Sequence, residues 1–288
     1  MASSGELERI MAYALEMPHE TVSLFLRKIR QAGLITKKGH GPSAARMEPL
    51  DAARLLLVVI GGILVKDAVD TVKIVGGMRF AGVAPDARKK EVRFLAPEVF
   101  GLDRFEDCLA RELALFAKRH GAMARKKPAD VFAFLESMRS PHPALQIFLG
   151  NPDSDHALFK AAVLTETPDP ERISDGPRLR VGFSNRFERN PALWRGRAGA
   201  ALAVWDQDFV ALANFPRMLR THSVYPQAIA TVALLLVDDH PLRTLDWLMA
   251  EEERRRRQRA LVAAERDRQR EAEDREEELR QNPWLGED

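Results

Sequence analysis

Cysteine is almost absent from the sequence, which contains only Cys108, so the chain forms no internal disulfide. This composition fits a reducing compartment. Cys108 lies among leucine and phenylalanine residues with no reactive motif around it, and we interpret it as a core residue. The N-terminus also lacks the basic-then-apolar order of a secretory signal. We therefore expect a cytoplasmic protein.

Long hydrophobic runs are missing as well. The most apolar stretch, residues 55–65, is interrupted by two glycines, and it is shorter than the roughly 20 residues that cross a bilayer. The composition, 45% hydrophobic and 30% charged, is sufficient to build a core. We expect a soluble protein with no membrane partner. The net charge of +2 says little about nucleic acid, because a DNA-binding face depends on local charge.

Patterns typical of catalytic sites do not occur. The seven histidines are scattered, with no His-Glu-x-x-His pair for zinc. The glycine-rich segment 39–41 lacks the Lys-Ser/Thr of a phosphate loop, and no Gly-x-Ser-x-Gly nucleophile elbow is present. The polar residues Asn151, Asp153, Asp155 and His156 lie close together in the sequence, but they lack the glycine and the distal glutamate of a calcium-binding loop. We interpret them as a turn. We therefore expect no catalytic residues, no metal, no cofactor and no enzyme activity.

The first fifty residues show helical periodicity twice, over residues 4–17 and from Glu20 to Gln31. Ser3 and Glu6 have capping-box spacing before the first helix. The apolar residues of the two helices are Leu7, Ile10, Met11, Ala14 and Leu15, then Val22, Phe25, Leu26 and Ile29. Gly33 is expected to end the second helix. A short strand is predicted at Leu34 and Ile35, followed by a basic, glycine-rich turn over residues 37–42.

Residues 12–23, AYALEMPHETVS, resemble the helix-turn-helix of bacterial winged-helix regulators, which commonly contain Ala-x-x-Leu-Gly-apolar-(Ser/Pro)-x-x-Thr-Val-Ser. Residues 26–35, LRKIRQAGLI, are similar to their recognition helix and to the strand that enters the wing. The family usually has glycine at the position of Glu16, because glycine adopts a positive φ at low cost. It also has a preceding helix, whose place we expect the helix near Asp51 to take. The resemblance implies a winged helix-turn-helix over residues 5–46 and a DNA partner.

Burial of the apolar stripe of the second helix leaves its polar and basic residues toward solvent. Arginine bonds guanine bidentately, glutamine suits adenine, and serine or threonine suits a base or a phosphate. Residues 27–46 contain six Lys or Arg and no Asp or Glu, which favours binding to the phosphate backbone. The predicted DNA-binding residues are Thr21, Ser23, Arg27, Lys28, Arg30, Gln31, Lys37, Lys38, His40 and Arg46, with Lys37 and Lys38 on the wing. The alternatives are an ordinary solvated basic face or a protein-docking module.

Beyond residue 50, periodicity and turn residues predict a mainly helical α+β fold. The predicted helices are one that starts near Pro49 and Asp51 and continues to residue 59, then 66–74, 103–120, 129–138, 225–237 and 241–281. The predicted strands are 92–95, 145–149, 158–164 and 179–183. Residues 200–205 and 209–213 are either two further strands or one helix broken at Asp206. Aromatic and arginine residues between 183 and 215 are interpreted as core with a solvated rim. A stacking surface for nucleic acid or a ligand is the alternative for that segment.

We expect four regions: a winged helix-turn-helix over 1–50, a helical region over 51–140, an α+β body over 141–240, and a charged C-terminal helix and tail over 241–288. Opposite charges three and four residues apart favour a solvated terminal helix. That helix has no apolar seam for a coiled coil, but it is a candidate surface for a protein partner.

The function most consistent with these features is a sequence-specific transcriptional regulator, bacterial or phage-related. It would bind double-stranded DNA, as a homodimer in the manner of many such proteins. The alternative is a structural or adaptor protein of a mobile element, whose winged helix docks DNA or protein without regulating transcription.

Overall fold

The computed structural model describes residues 2–36, 46–62, 64–83, 104–140, 144–150, 160–165, 180–184 and 219–281. The chain divides into two compact units, Met1–Thr244 and Leu245–Asp288. The described residues are mostly helical and include one small antiparallel sheet, which confirms a mainly helical α+β fold. Within these residues, no helix has both the length and the apolar character needed to cross a membrane.

Eight α-helices lie in the described part of the chain: α1 Ser4–Ala14, α2 His19–Gln31, α3 Pro49–Gly61, α4 Ala68–Thr71, α5 Phe105–His120, α6 Pro128–Ser137, α7 Pro226–Val237 and α8 Pro241–Gln281. A 3-10 turn, Val65–Asp67, precedes α4, a π-helical turn, Val72–Gly76, follows it, and a second 3-10 turn is Met123–Arg125. The predicted helices are confirmed, with ends shifted by a few residues, except for the helix predicted over 66–74. That segment is α-helical only over Ala68–Thr71, and the 3-10 and π-helical turns adjoin it on either side.

The sheet contains β1 Arg79–Val83, β2 Leu145–Gly150, β3 Lys160–Thr165, β4 Arg180–Ser184 and β5 Leu219–Val224. Its order is β1-β4-β3-β2-β5, and every neighbouring pair is antiparallel. In β2, Leu145 lies opposite Leu164 of β3 on one side and Val224 of β5 on the other. Three of the predicted strands are confirmed as β2, β3 and β4.

The core of the first unit forms around four helices. Helix α3 packs against α5, α5 packs against α7, and α7 packs against α1. Helices α3 and α7 are apolar on almost every side and are buried along nearly their whole length, as expected of helices without a solvent face. Helix α5 is amphipathic, and its buried residues include Phe105, Leu109, Leu113 and Phe116.

The strand predicted at Leu34 and Ile35 is wrong, because neither residue pairs with another strand. Side chains from α3 hold this segment instead. The Leu34 carbonyl accepts a hydrogen bond from Arg54, and the backbone N–H of Thr36 donates to Asp51.

Several sequence predictions concern residues outside the described ranges. They are the basic turn over 37–42, the polar group from Asn151 to His156, the strand at 92–95, the segments 200–205 and 209–213, and most of the aromatic segment 183–215.

Candidate nucleic-acid interface

Helices α1 and α2 are joined by a tight turn centred on Glu16. This residue has φ +52°, so it adopts the left-handed conformation that glycine adopts most readily. The Met17 N–H bonds the Ala12 carbonyl at 2.9 Å and the Glu16 N–H bonds the Tyr13 carbonyl at 3.2 Å, which is the pattern of a Schellman motif. The turn is therefore compact at the position where winged-helix regulators usually have glycine.

The end of α2 repeats this pattern. Gly33 has φ +77°, its N–H bonds the Arg30 carbonyl, and the Leu34 N–H bonds the Ile29 carbonyl. These two bonds again form a Schellman motif, which confirms Gly33 as the stop of the helix. The C-terminal ends of α1 and α2 are thus both fixed by local hydrogen bonds.

The inner face of α2 is the predicted apolar stripe. Val22, Phe25, Leu26 and Ile29 are all buried. Helix α2 contacts α1, α3 and the helical segment that begins at Val65. A Cβ added at Gly62 would lie 3.0 Å from Phe25, so the absence of a side chain at Gly62 allows Phe25 to pack closely. Helix α3 contacts both α1 and α2.

One flank of α2 faces α1 and includes Ser23 and Arg30, which are both partly buried. Arg30 Nη1 donates to Ser4 Oγ at 3.5 Å. Ser23 donates a side-chain hydrogen bond to Glu8, and His19 Nε2 lies 3.6 Å from Glu8 Oε2. Burial raises the pKa of Glu8, and its contacts with His19, Ser23 and Arg30 only partly oppose that effect. Two of the predicted DNA-binding side chains therefore already interact with α1.

The outer face of α2 exposes Arg27, Lys28 and Gln31, while Thr21 is partly buried. Leu24 lies on the same face and is 41% exposed. Arg46 is exposed just before α3. Three further predicted residues, Lys37, Lys38 and His40, lie outside the described ranges. The structure therefore brings Arg27, Lys28 and Gln31 together on one solvent-facing surface.

Asp51 joins the two chain segments that flank residues 37–45. Its Oδ1 accepts from the Thr36 N–H at 3.0 Å and from the Thr36 hydroxyl at 3.2 Å. Its Oδ2 accepts from the Glu48 N–H at 3.0 Å. Asp51 is only 3% exposed, and these bonds compensate the carboxylate for the water it loses. One side chain thus holds Thr36 and Glu48 close together beside α2.

A buried carboxylate supports the same region from α5. Glu106 is about 1% exposed and pairs with two arginines, Arg54 Nε at 2.8 Å and Arg104 Nη2 at 2.7 Å. Arg54 also donates from Nη1 to the Leu34 carbonyl at 2.8 Å. The hydrogen bond with Glu106 raises the pKa of Arg54 above its ordinary value. A Cβ at Gly76 would lie 3.2 Å from Glu106 Oε2, so glycine there leaves room for the carboxylate.

Four residues of this region were not identifiable from the sequence: Asp51, Arg54, Glu106 and Arg104. Their partners lie far away in the sequence, 15 residues for Asp51–Thr36 and 52 for Arg54–Glu106. The only local indication was the helix-start position of Asp51. Together these residues fix the segments before and after residues 37–45 to the same core that supports α2.

The arrangement can hold an anion on a rigid surface, because the exposed guanidinium of Arg27 and the ammonium of Lys28 lie on a helix with a fully packed inner face. In the part of the chain that the structure describes, no three His, Cys, Asp or Glu side chains are grouped to bind a metal ion.

The chain matches no protein-family model, no curated protein and no solved structure.

Proposed function

We propose that the protein is a transcriptional regulator that recognises double-stranded DNA with α2. The observation that supports this best is the outer face of α2, where Arg27, Lys28 and Gln31 are exposed while the inner face is fully packed. A rigid helix with exposed donors is what a recognition helix requires, since the major groove, about 12 Å wide, admits one α-helix.

Arg27 and Gln31 lie four residues apart, so they project from the same side of the helix. In this proposal Arg27 bonds guanine O6 and N7, and Gln31 bonds adenine N6 and N7. Lys28 contacts a phosphate from the flank. In the proposal, the DNA backbone is also contacted by Lys37, Lys38 and His40. Asp51 holds together the residues that flank their segment, and Arg46 adds a further positive charge next to that segment.

The test begins with selection of preferred duplexes from a random library, followed by affinity measurements on the selected site. Changing Arg27→Ala should cost about 1–3 kcal/mol on that site and relax the preference at one base pair, because a bidentate contact is lost. The matched control is Lys28→Ala, one residue away, which should weaken binding to all sequences alike. Equal losses on selected and random duplexes for Arg27→Ala would contradict base recognition by α2.

The second candidate is a docking module for protein, and one observation favours it. Leu24 is 41% exposed on the outer face of α2, and Leu64, which precedes the 3-10 turn in contact with α2, is 50% exposed. Exposed leucines are better suited to a protein surface than to phosphates. Binding to every duplex with equal affinity would instead favour the adaptor of a mobile element.

A further inference from the structure

The arginines of α8 are concentrated in one part of the helix. Residues 254–270 contain eight arginines, no lysine and two acidic residues, Glu265 and Asp267, so their net charge is +6. The whole chain has a net charge of only +2. At about 1.5 Å per residue, this positive charge is distributed over about 25 Å of helix. Polyanions are attracted to local charge density of this kind rather than to total charge.

The side chains of this segment are accessible. Every residue from 256 to 276 is exposed, and Arg254 and Arg257 have side-chain exposures of 75% and 77%. Arginine is also the cation best suited to phosphate, because its planar guanidinium donates two parallel hydrogen bonds. A phosphate backbone therefore reaches these guanidinium groups without any rearrangement of a core, and it shares Arg254 to Arg257 with glutamates of the same helix.

Ion pairs before and at the start of the segment stabilise the helix without a partner. Arg254, Arg255, Arg256 and Arg257 lie 2.8–3.2 Å from glutamates three or four residues earlier, Glu251, Glu252 and Glu253. Such pairs add about 0.2–0.5 kcal/mol each to an isolated helix. A helix that is already formed loses less conformational entropy when it binds, so its contacts contribute more of their energy to affinity.

The acidic end of the helix does not cancel this charge. Residues 271–281 contain six acidic residues and two arginines, a net charge of −4. The middle of the arginine segment lies about 14 Å from residue 271 at the helical rise. That distance exceeds the Debye length of about 8 Å at physiological ionic strength. The acidic end therefore partly offsets only the nearest arginines, Arg266 to Arg270, and does not offset those from Arg254 to Arg259.

The distribution of apolar residues decides between possible anionic partners. Between residues 254 and 270 the apolar residues are five in succession, from Ala260 to Ala264. At about 100° per residue they are spread around the whole helix and form no apolar face. A helix that binds a lipid surface needs such a face, and so does a coiled coil with a second copy of the chain.

We propose that residues 254–270 of α8 form a second contact with the phosphate backbone of duplex nucleic acid, independent of sequence and of α2. The test uses the full chain with four arginines outside the ion pairs above changed together, Arg259→Gln, Arg266→Gln, Arg268→Gln and Arg270→Gln. Glutamine and arginine have similar helix propensities, so the helical content in circular dichroism should not change. The matched control changes the same four positions to lysine, which keeps the charge.

Affinity for a random-sequence duplex is measured between about 50 and 200 mM salt. The glutamine variant should bind at least about tenfold more weakly. Its slope of log affinity against log salt should fall by about 2–3 units, because Arg259, Arg266 and Arg270 share one side of the helix and each lost phosphate contact removes about 0.9. The lysine variant should keep the wild-type slope. The four glutamine substitutions should reduce affinity and slope by the same amount when Arg27→Ala is also present, because the α8 contact is separate from the α2 contact.

Identical slopes for the glutamine variant and the wild type would overturn the proposal for α8 and leave that for α2 intact. Loss of binding to phosphatidylserine vesicles, with duplex binding unchanged, would also overturn it in favour of a lipid surface. Failure of the wild-type chain to bind random duplex even at about 50 mM salt would exclude the contact altogether.

Discussion

At the scale of single residues, Glu16 is under conformational strain. An L-residue in the left-handed region is less stable by about 1–2 kcal/mol than in the right-handed one, whereas glycine is not. Glu16 is exposed, so its side chain contributes little burial. We expect Glu16→Gly to raise the free energy of unfolding by about 0.5–1 kcal/mol, after the greater entropy of unfolded glycine is subtracted. Urea denaturation measures this difference.

The control for this prediction is Glu16→Ala, which removes the carboxylate but keeps the Cβ that causes the strain. Alanine should therefore give no comparable stabilisation. If alanine stabilises as much as glycine, the effect comes from loss of the charge, and the left-handed turn at this position is not the cause.

At the scale of elements, the carboxylate of Glu106 joins α5 to α3 and, through Arg54, to the segment at Leu34. Glu106→Gln leaves the partly buried Arg54 without its counter-charge, so we expect it to lower the free energy of unfolding by about 3 kcal/mol. Arg104→Gln is the matched comparison, because the Arg104 side chain is 47% exposed. It should cost less than about 1 kcal/mol. The prediction is wrong if the Arg104 variant is the less stable of the two in thermal unfolding.

The same elements explain which structural features are visible in the sequence. Helices α2, α5 and α8 were predicted closely, because apolar periodicity, Gly33 and Pro241 are local features of the chain. The strand at Leu34 and Ile35 was wrong for the opposite reason. Its hydrogen-bond partners, Asp51 and Arg54, belong to another helix, and only the tertiary structure brings them there.

Site residues follow the same rule. The exposure of Arg27 and Lys28 follows from the apolar stripe of their own helix, so it was predictable from the sequence. The partial burial of Ser23 and Arg30 was not, because it depends on where Glu8 and Ser4 of α1 lie. A helical wheel shows which residues leave the core, but not which of them a neighbouring helix covers.

At the scale of the whole molecule, the chain carries two kinds of positive surface. One is a packed helix with Arg27, Lys28 and Gln31 exposed, and the other is the arginine segment 254–270 of α8. In our proposals the first recognises sequence and the second supplies affinity for any duplex. Selectivity between sites then depends on α2 alone, since phosphate contacts contribute equally to specific and non-specific binding.

The most direct test of sequence recognition is the ratio of affinities of the wild-type protein for a selected duplex and a random duplex at the same salt concentration. A sequence-specific regulator should bind its selected site at least about a thousandfold more tightly at physiological salt. That ratio should be lower for the Arg27→Ala variant and unchanged for the glutamine variant of α8. A ratio near one for the wild-type protein, after exhaustive selection, would contradict the account.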